Sequence, residues 1–290
     1  MPPTDADTVV ARPRDIFRPD ALLGWSLTPD AEIHVPFREP PFTQRIGSDG
    51  WRRVPGAPGT CRDGTSRAVT VHGCSFTFGT GLTDDETYCA LLQSRFPDVT
   101  VRNRGVGGHS TVQAFLRFRE EVRLGATRLG IVGIISDHRY RNRPHPRRMQ
   151  AFNDPTWSRA GIEHVPQAVR RGDGRLEIVP VACWQPASRA GGIDAFLPDE
   201  PDLTRLLIEV LQMIVELSNR SGVPVLPVLL DASDPEFNRA VLDAVPGVVD
   251  ASPPDEPGYT FEPYDRHPNA AANRVFADRI SPFLADAIGS

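Results

Sequence analysis

The run LGIVGIIS (129–136) is apolar at almost every position and shows no alternation between a wet and a dry face. A strand of this kind is buried on both sides, which calls for helices on both faces of the sheet and strands laid parallel through crossovers. The surrounding pattern agrees. AVTVHG (68–73), VTVRN (99–103), VPVLPVLL (223–230) and GVVDA (247–251) read as further strands, and helical periods fall between them. Thr83 and Glu86 are spaced as a capping box that opens a helix through YCALLQSRF, and Ser110 and Gln113 open another that ends near Gly125. Leu206, Leu207, Val210, Leu211, Ile214 and Val215 recur at helical spacing ahead of Gly222. A closing helix after Asn269 is expected to bury Val275, Phe276, Ile280, Phe283 and Leu284. The fold class these elements predict is α/β, a three-layer α/β/α sandwich with a mostly parallel sheet.

Two stretches break the rhythm. Residues 1–66 carry ten prolines within the first sixty positions, with short strands in LGWSLTPDAEIHVPF and FTQRIGSDGWRRV and a turn at Asp49-Gly50. They read as an irregular N-terminal layer, leaving 67–290 as the main domain. Residues 138–200 are turn-rich and read as an insertion above the sheet. Their first part holds Arg139, Arg141, Arg143, Arg147 and Arg148 with His138 and His145. Arginine suits carboxylate and phosphate recognition, so this stretch is consistent with an anionic substrate or with a solvated basic loop. The histidines are too irregularly spaced for a metal site.

Composition removes several function classes. All 32 basic residues are arginine. Without lysine there is no Walker-A phosphate loop and no lysine-anchored pyridoxal phosphate or Schiff base. No G-x-G-x-x-G follows a strand, so a dinucleotide site has no support. A net charge of −5 argues against a general nucleic-acid binder, and no run of 18 apolar residues is present to span a membrane. The start, MPPTDADTVVARPRD, lacks a basic segment followed by an apolar one, so a cytoplasmic location is expected, although a secreted form trimmed of its leader would read the same. Cys61, Cys74, Cys89 and Cys183 form no CxxC pair or zinc spacing and read as reduced thiols. No metal and no cofactor is expected, and the oligomeric state is left open.

Ligands of such sheets bind beyond the carboxyl ends of the strands. Polar residues stand there in order: Gly73-Cys74-Ser75, Gly105 to Ser110, Ser136-Asp137, and Tyr264-Asp265-Arg266-His267-Pro268-Asn269 ahead of the last helix. A serine on a tight turn after a strand exposes its hydroxyl, and glycines let backbone N–H groups approach a developing oxyanion. A histidine with an aspartate beside it takes the serine's proton and is held in one tautomer.

These residues carry a resemblance. GCSFTFGTGLTDDETYCALLQ (73–93) looks like block I of the SGNH (GDSL-type) hydrolases, NRGVGGHSTVQ (103–113) resembles their block II, and DRHPNAAANRVFAD (265–278) resembles their terminal block in a D-x-H form. LLGWSLTPD is similar to the leader of one branch. The resemblance implies a flavodoxin-like α/β/α fold. It also implies a nucleophile at Ser75, a base at His267, an acid at Asp265, and an oxyanion hole formed by the Ser75 and Gly108 backbone N–H groups with help from Ser136. Two departures stand out. The third block, G-x-N-D in the family, has Ser136 in place of its asparagine, a shorter donor. The acid stands two residues before the histidine, where many members have it three before and this chain has Tyr264. Cys74 sits where the family has Asp or Cys and reads as a packing thiol. His109 is a candidate for substrate contact or merely lines the cleft, and Arg139 and Asn142 are candidates for substrate contact or for supplementing the oxyanion hole.

The activity so implied is a serine esterase that removes a small O-acyl group, acetyl as the first expectation, from a carbohydrate or secondary metabolite. An O-acyltransferase would use the same acyl-enzyme, and a non-catalytic glycan- or anion-binding protein would keep the same pocket. The expected partner is a small-molecule or carbohydrate ester, with no nucleic acid and no membrane span.

Overall fold

A computed structural model describes residues 16–35, 42–57, 68–143, 145–183 and 199–289. The boundary expected at 66, Cys61, and the end of the insertion at 184–198 lie outside the described residues. Four short strands come first. β1 (Phe17–Asp20) pairs antiparallel with β2 (Gly24–Leu27), and β3 (Glu32–Val35) pairs antiparallel with β4 (Phe42–Arg45). The main body then alternates. β5 (Ala68–Gly73) leads into the single turn α1 (Ser75–Phe78) and α2 (Tyr88–Arg95), and β6 (Thr100–Gly105) leads into α3 (Thr111–Arg123). β7 (Leu129–Ile134) is followed by the short helices α4 (His138–Arg141), α5 (Pro146–Met149) and α6 (Pro155–Arg159), and by a hairpin of β8 (His164–Arg170) and β9 (Leu176–Ala182). α7 (Glu200–Ser221), β10 (Val225–Leu229), α8 (Pro235–Ala244), β11 (Val249–Asp250) and α9 (Ala270–Gly289) complete the chain.

Five strands form one all-parallel sheet in the order β6-β5-β7-β10-β11. Every residue of β5 and of β7 is buried, as the unbroken apolar run required. On one face Val69, Val71 and Ile131 pack with Tyr88 and Leu92 of α2 and with Phe276, Ile280 and Leu284 of α9. On the other, Val132, Ile134 and Leu229 pack with Phe115 and Phe118 of α3, Leu207, Val210 and Ile214 of α7, and Phe237 and Val241 of α8. The result is the expected α/β/α sandwich. The chain starts in β5, fills β6 on one side and then β7, β10 and β11 on the other. The winding therefore reverses between β5 and β7, which is where such folds open a crevice.

A third core joins the two stretches that broke the rhythm. Trp25, Leu27 and Ile46 of the N-terminal layer pack with Met149, Phe152, Ile162 and Val165 of the insertion, and with Phe78 and Val106 after β5 and β6. The rings of Trp25, Phe152 and Trp157 meet edge-on at 5.1–5.7 Å between centroids.

Several local expectations change. The full capping box at Ser110 and Gln113 forms and α3 starts there. At Thr83 only half a box forms, Thr83 N to the Glu86 carboxylate, and α2 begins at Tyr88 with Thr87 as its cap. The intervening turn is taken by the N-terminal layer. Buried Arg52 pairs with Asp84 and donates to Leu82 O at 2.9 Å, and Gln44 donates to Gly79 O at 2.6 Å. In α9 the inward face is Ala272, Phe276, Ile280 and Leu284, whereas Phe283 is exposed and Val275 half-buried. The pairing of β8 with β9 was not read in the sequence. Cys74, Cys89 and Cys183 are buried free thiols.

Gly105 is where β6 meets α1. A Cβ there would collide with the backbone of Thr77 and Phe78. Gly105→Ala should therefore cost about 1–3 kcal/mol in urea unfolding, as overpacking does. An unchanged midpoint would show that the turn bearing Ser75 is not pressed against β6.

Candidate active site

β5 ends at Gly73, and Ser75 is the first residue of the turn α1, closed by Gly79 in the left-handed region (φ 81°). Buried polar groups hold that turn. Asn103 Nδ2 donates to Thr77 O at 2.8 Å, and Tyr88 Oη donates to Thr77 Oγ1 at 3.0 Å. Tyr88 N in turn donates to Asn273 Oδ1 of α9 at 2.9 Å, so the turn bearing Ser75 and the closing helix are tied together.

The loop ahead of α9 is built on Asn269. Its side-chain amide donates to Gly258 O and Thr260 O, and its oxygen caps α9 by accepting from Ala271 N and Ala272 N. Within this loop Asp265 Oδ1 accepts from His267 N at 2.6 Å and lies 3.2 Å from His267 Nδ1. A carboxylate only accepts, so Nδ1 carries a proton, and in the neutral ring the lone pair is then on Nε2. Burial alone would raise the Asp265 carboxyl pKa. The hydrogen bonds from the His267 ring and backbone, with the charge of the ring, outweigh it and hold the carboxyl below its ordinary value.

Ser75, Asp265 and His267 line one cavity of about 520 Å³, together with Ser136 and Arg139. It opens at the carboxyl ends of β5, β7 and β10. No hydrogen bond joins Ser75 to His267 among the described residues, but the ring of Phe76 lies 5.8 Å from that of His267. Tyr264 is exposed.

Other predicted residues fall elsewhere. His109 does not reach the cavity: it is buried against Trp25, with Nε2 3.0 Å from Trp25 O. Burial pushes its pKa down to about 3 against the pull of that hydrogen bond, so it is a neutral structural donor. Asn142 is also buried away from the cavity, because its Oδ1 accepts from Val112 N at 3.1 Å in the first turn of α3. Gly108 lies in the loop after β6 and is not among the lining residues.

Arg139 and Arg141 are paired with acidic residues, as the loop reading expected, but Arg139 is buried rather than solvated. Arg139 lines the cavity, yet it is buried and held by Asp234 at 2.7 Å and Glu200 at 3.5 Å. Arg141 pairs with Asp137 at 2.7 Å, and Arg148 donates to Gly108 O at 2.7 Å. Arg266, on the opposite wall, sits 3.5 Å from both Asp255 and Glu262. Among the described residues, the arginines that line the cavity each face a carboxylate of the protein itself. The side chain of Arg147 lies outside the described residues.

Ser136 stands at the cavity with its hydroxyl bonded to Asp231. Its Oγ donates to Asp231 Oδ2 at 2.6 Å, and its N–H points to the same oxygen at 3.2 Å. Asp231, directly after β10, was not singled out in the sequence. The reasoning applied to the other strand ends, a polar residue following a buried apolar run, would have found it.

No family model and no curated protein matches the chain. Among solved structures it is similar to TesA, at 14% identity over 76% of this chain and 99% of that one, with a TM-score of 0.45. It is also similar to the psychrotrophic esterase EstA from Pseudoalteromonas sp. (10%, 78% and 100%, 0.45). A third is a catalytic mutant of Axe2, an acetylxylan esterase from Geobacillus stearothermophilus (12%, 77% and 94%, 0.43). Lipolytic proteins of the G-D-S-L family are also among the similar structures. At these identities and scores the likeness carries no weight on chemistry, and the site stands on its own geometry.

A carboxyl whose folded-state pKa is lowered stabilises the fold above its unfolded value, and that contribution is lost as pH falls through the lowered value. For Asp265 the unfolded value is about 3.9. The wild type should therefore exceed Asp265→Asn in Tm near neutrality, and the two should converge as pH drops below about 4. A gap constant with pH would mean that the carboxylate is not held by His267.

Proposed function

We propose that the protein is an SGNH-type serine esterase of the D-x-H form that removes a small acyl group, acetyl first, from an oxygen of a carbohydrate or secondary metabolite. One observation carries the reading: a serine on a strand-end turn and a histidine fixed by a carboxylate line the same cavity. Ser75 Oγ attacks the ester carbonyl carbon and its proton passes to His267 Nε2, with the resulting imidazolium steadied by Asp265. The tetrahedral intermediate collapses, the C–O bond breaks, and the alcohol leaves with the proton from His267. Water then attacks the acyl-serine, again through His267, and releases the acid. In this reading the oxyanion donors are the N–H groups of Ser75 and Gly108; Gly108 is not a lining residue of the cavity, but its N–H has no other hydrogen-bond partner among the described residues. A cavity of about 520 Å³ suits a small ester. Among the described residues no helix is long and apolar enough to cross a membrane.

A fluorophosphonate probe should label Ser75, and Ser75→Ala or His267→Ala should cost on the order of 10⁴-fold or more in kcat on an acetate ester. Label on another residue, or full activity in Ser75→Ala, would sink the assignment. Adding alcohol acceptors separates hydrolysis from transfer: acyl group recovered on the acceptor, with faster turnover, makes the protein a transferase.

Ser136 gives a second test. Its hydroxyl is committed to Asp231, so Ser136→Ala should keep kcat within about threefold, whereas loss of a true oxyanion donor costs roughly 10²–10³. A loss of that larger size would mean that the hydroxyl turns to the oxyanion during the reaction.

A further inference from the structure

The loop after β6 has its backbone held in an unusual way. Three consecutive carbonyls, each facing a different element, accept from side chains. Gly107 O accepts from Trp25 Nε1 at 3.2 Å, Gly108 O from Arg148 Nη2 at 2.7 Å, and His109 O from Arg141 Nη1 at 3.1 Å. Gly108 has φ +78°, and His109 N is turned back to Val106 O at 3.1 Å. Among the described residues the N–H groups of Gly107 and Gly108 have no hydrogen-bond partner.

A trans peptide sets its C=O and N–H in opposite directions. A donor on Gly107 O therefore fixes where the Gly108 N–H points, and it also polarises that N–H as a donor. The donor on Gly108 O fixes the next plane, so both planes flanking the Gly108 Cα are held from outside the loop. Trp25 is fully buried, and the Arg148 guanidinium lies 5.3 Å over its ring and 4.6 Å over that of Phe152, so the two clamps support each other.

We propose that Trp25 and Arg148 are positioning residues for the reaction: the N-terminal layer and the insertion jointly aim the Gly108 N–H at the developing oxyanion. The proposal rests on the esterase reading and on Gly108 as a donor in it. It gives the two segments outside the alternating body a catalytic purpose. The same contacts explain the basic stretch, in which Arg141 and Arg148 bind backbone carbonyls.

The test uses the full chain with an acetate ester and a small alkylboronic acid, whose adduct on Ser75 places an oxygen in the oxyanion position. Trp25→Phe keeps a ring and removes only the N–H. It should lower kcat about fivefold, leave KM within twofold, and weaken the boronic acid by the same factor as kcat. Arg148→Met should lower kcat roughly 10–100-fold, the range for a charged donor, and Arg148→Lys should recover most of it. If Ser75 takes no fluorophosphonate and the wild type cleaves no ester, the esterase reading itself fails. If the wild type is active and both variants, folded by circular dichroism, keep kcat and boronate affinity within twofold, the positioning role is overturned. It is equally overturned if activity falls only in step with loss of the native fold, or if KM carries the whole effect.

Discussion

Burial of β5 and β7 on both faces confines reactive groups to the strand ends. The two polar side chains of β5 that do face a helix layer show the cost of any other arrangement. Thr70 and His72 are paired at 2.9 Å, Thr70 donates on to Thr127, and burial first, then the positive charge of Arg104 and Arg117, drives the His72 pKa far down. A histidine so placed is neutral and takes no part in proton transfer. Ser75, Ser136 and Asp231 instead follow β5, β7 and β10 directly, and the reversal of winding between β5 and β7 leaves a gap for them to face. The sheet therefore fixes where chemistry occurs, and the loops decide which chemistry it is.

The absence of lysine has a structural counterpart in how cations are buried. Arg52 satisfies Asp84 and Leu82 O at once and lies 5.1 Å over the Phe78 ring. Arg104 pairs with Glu121 at 2.7 Å, and it and Arg117 both lie over the ring of Trp51, at 4.5 and 4.4 Å. A planar guanidinium with several donors and a stacking face can be taken out of water in such sites, whereas a single ammonium could not meet these partners together. Burial pulls the Arg52 pKa down to about 10 against the pull of Asp84, which still leaves it charged at neutral pH. These arginines fasten the N-terminal layer to the loop after β5, to β6 and to α3.

The sheet was legible in the sequence because its signals are local. The apolar run at 129–136 and the full capping box at Ser110 each name their own structure. The start of α2 was not legible in the same way, since Thr83 and Glu86 have the right spacing but the adjoining turn is claimed by Arg52 and Gln44 from residues far away in sequence. The same limit applies to the site. Ser75, Asp265 and His267 could be read from their motifs, and the structure places them around one cavity. The fates of His109, Asn142 and the arginines could not be read, because a sequence gives a side chain's charge and not the partner that neutralises it. The hairpin of β8 and β9 escaped for a related reason: its buried Val165 packs against Trp25, some 140 residues earlier.

The partner of Ser136 shapes the electrostatics of the whole cavity. Asp231 takes both donors of Ser136 and, on its other oxygen, the N–H of Ser233 at 3.0 Å. Unlike Asp137, Asp234 and Asp255, it has no cationic partner among the described residues. A carboxylate near a developing oxyanion opposes it through a partly desolvated medium, where unit charges interact more strongly than in water. Stabilisation must then come from donors fixed in advance on the other side of the reacting carbon. In the proposed esterase reading that places the demand on the backbone N–H groups of Ser75 and Gly108, the second of which shares its peptide plane with the Gly107 carbonyl held by Trp25. In that reading the commitment of the Ser136 hydroxyl to Asp231 and the triple capture of the loop at 107–109 are complementary: one withholds a side-chain donor, and the other makes the backbone donors rigid.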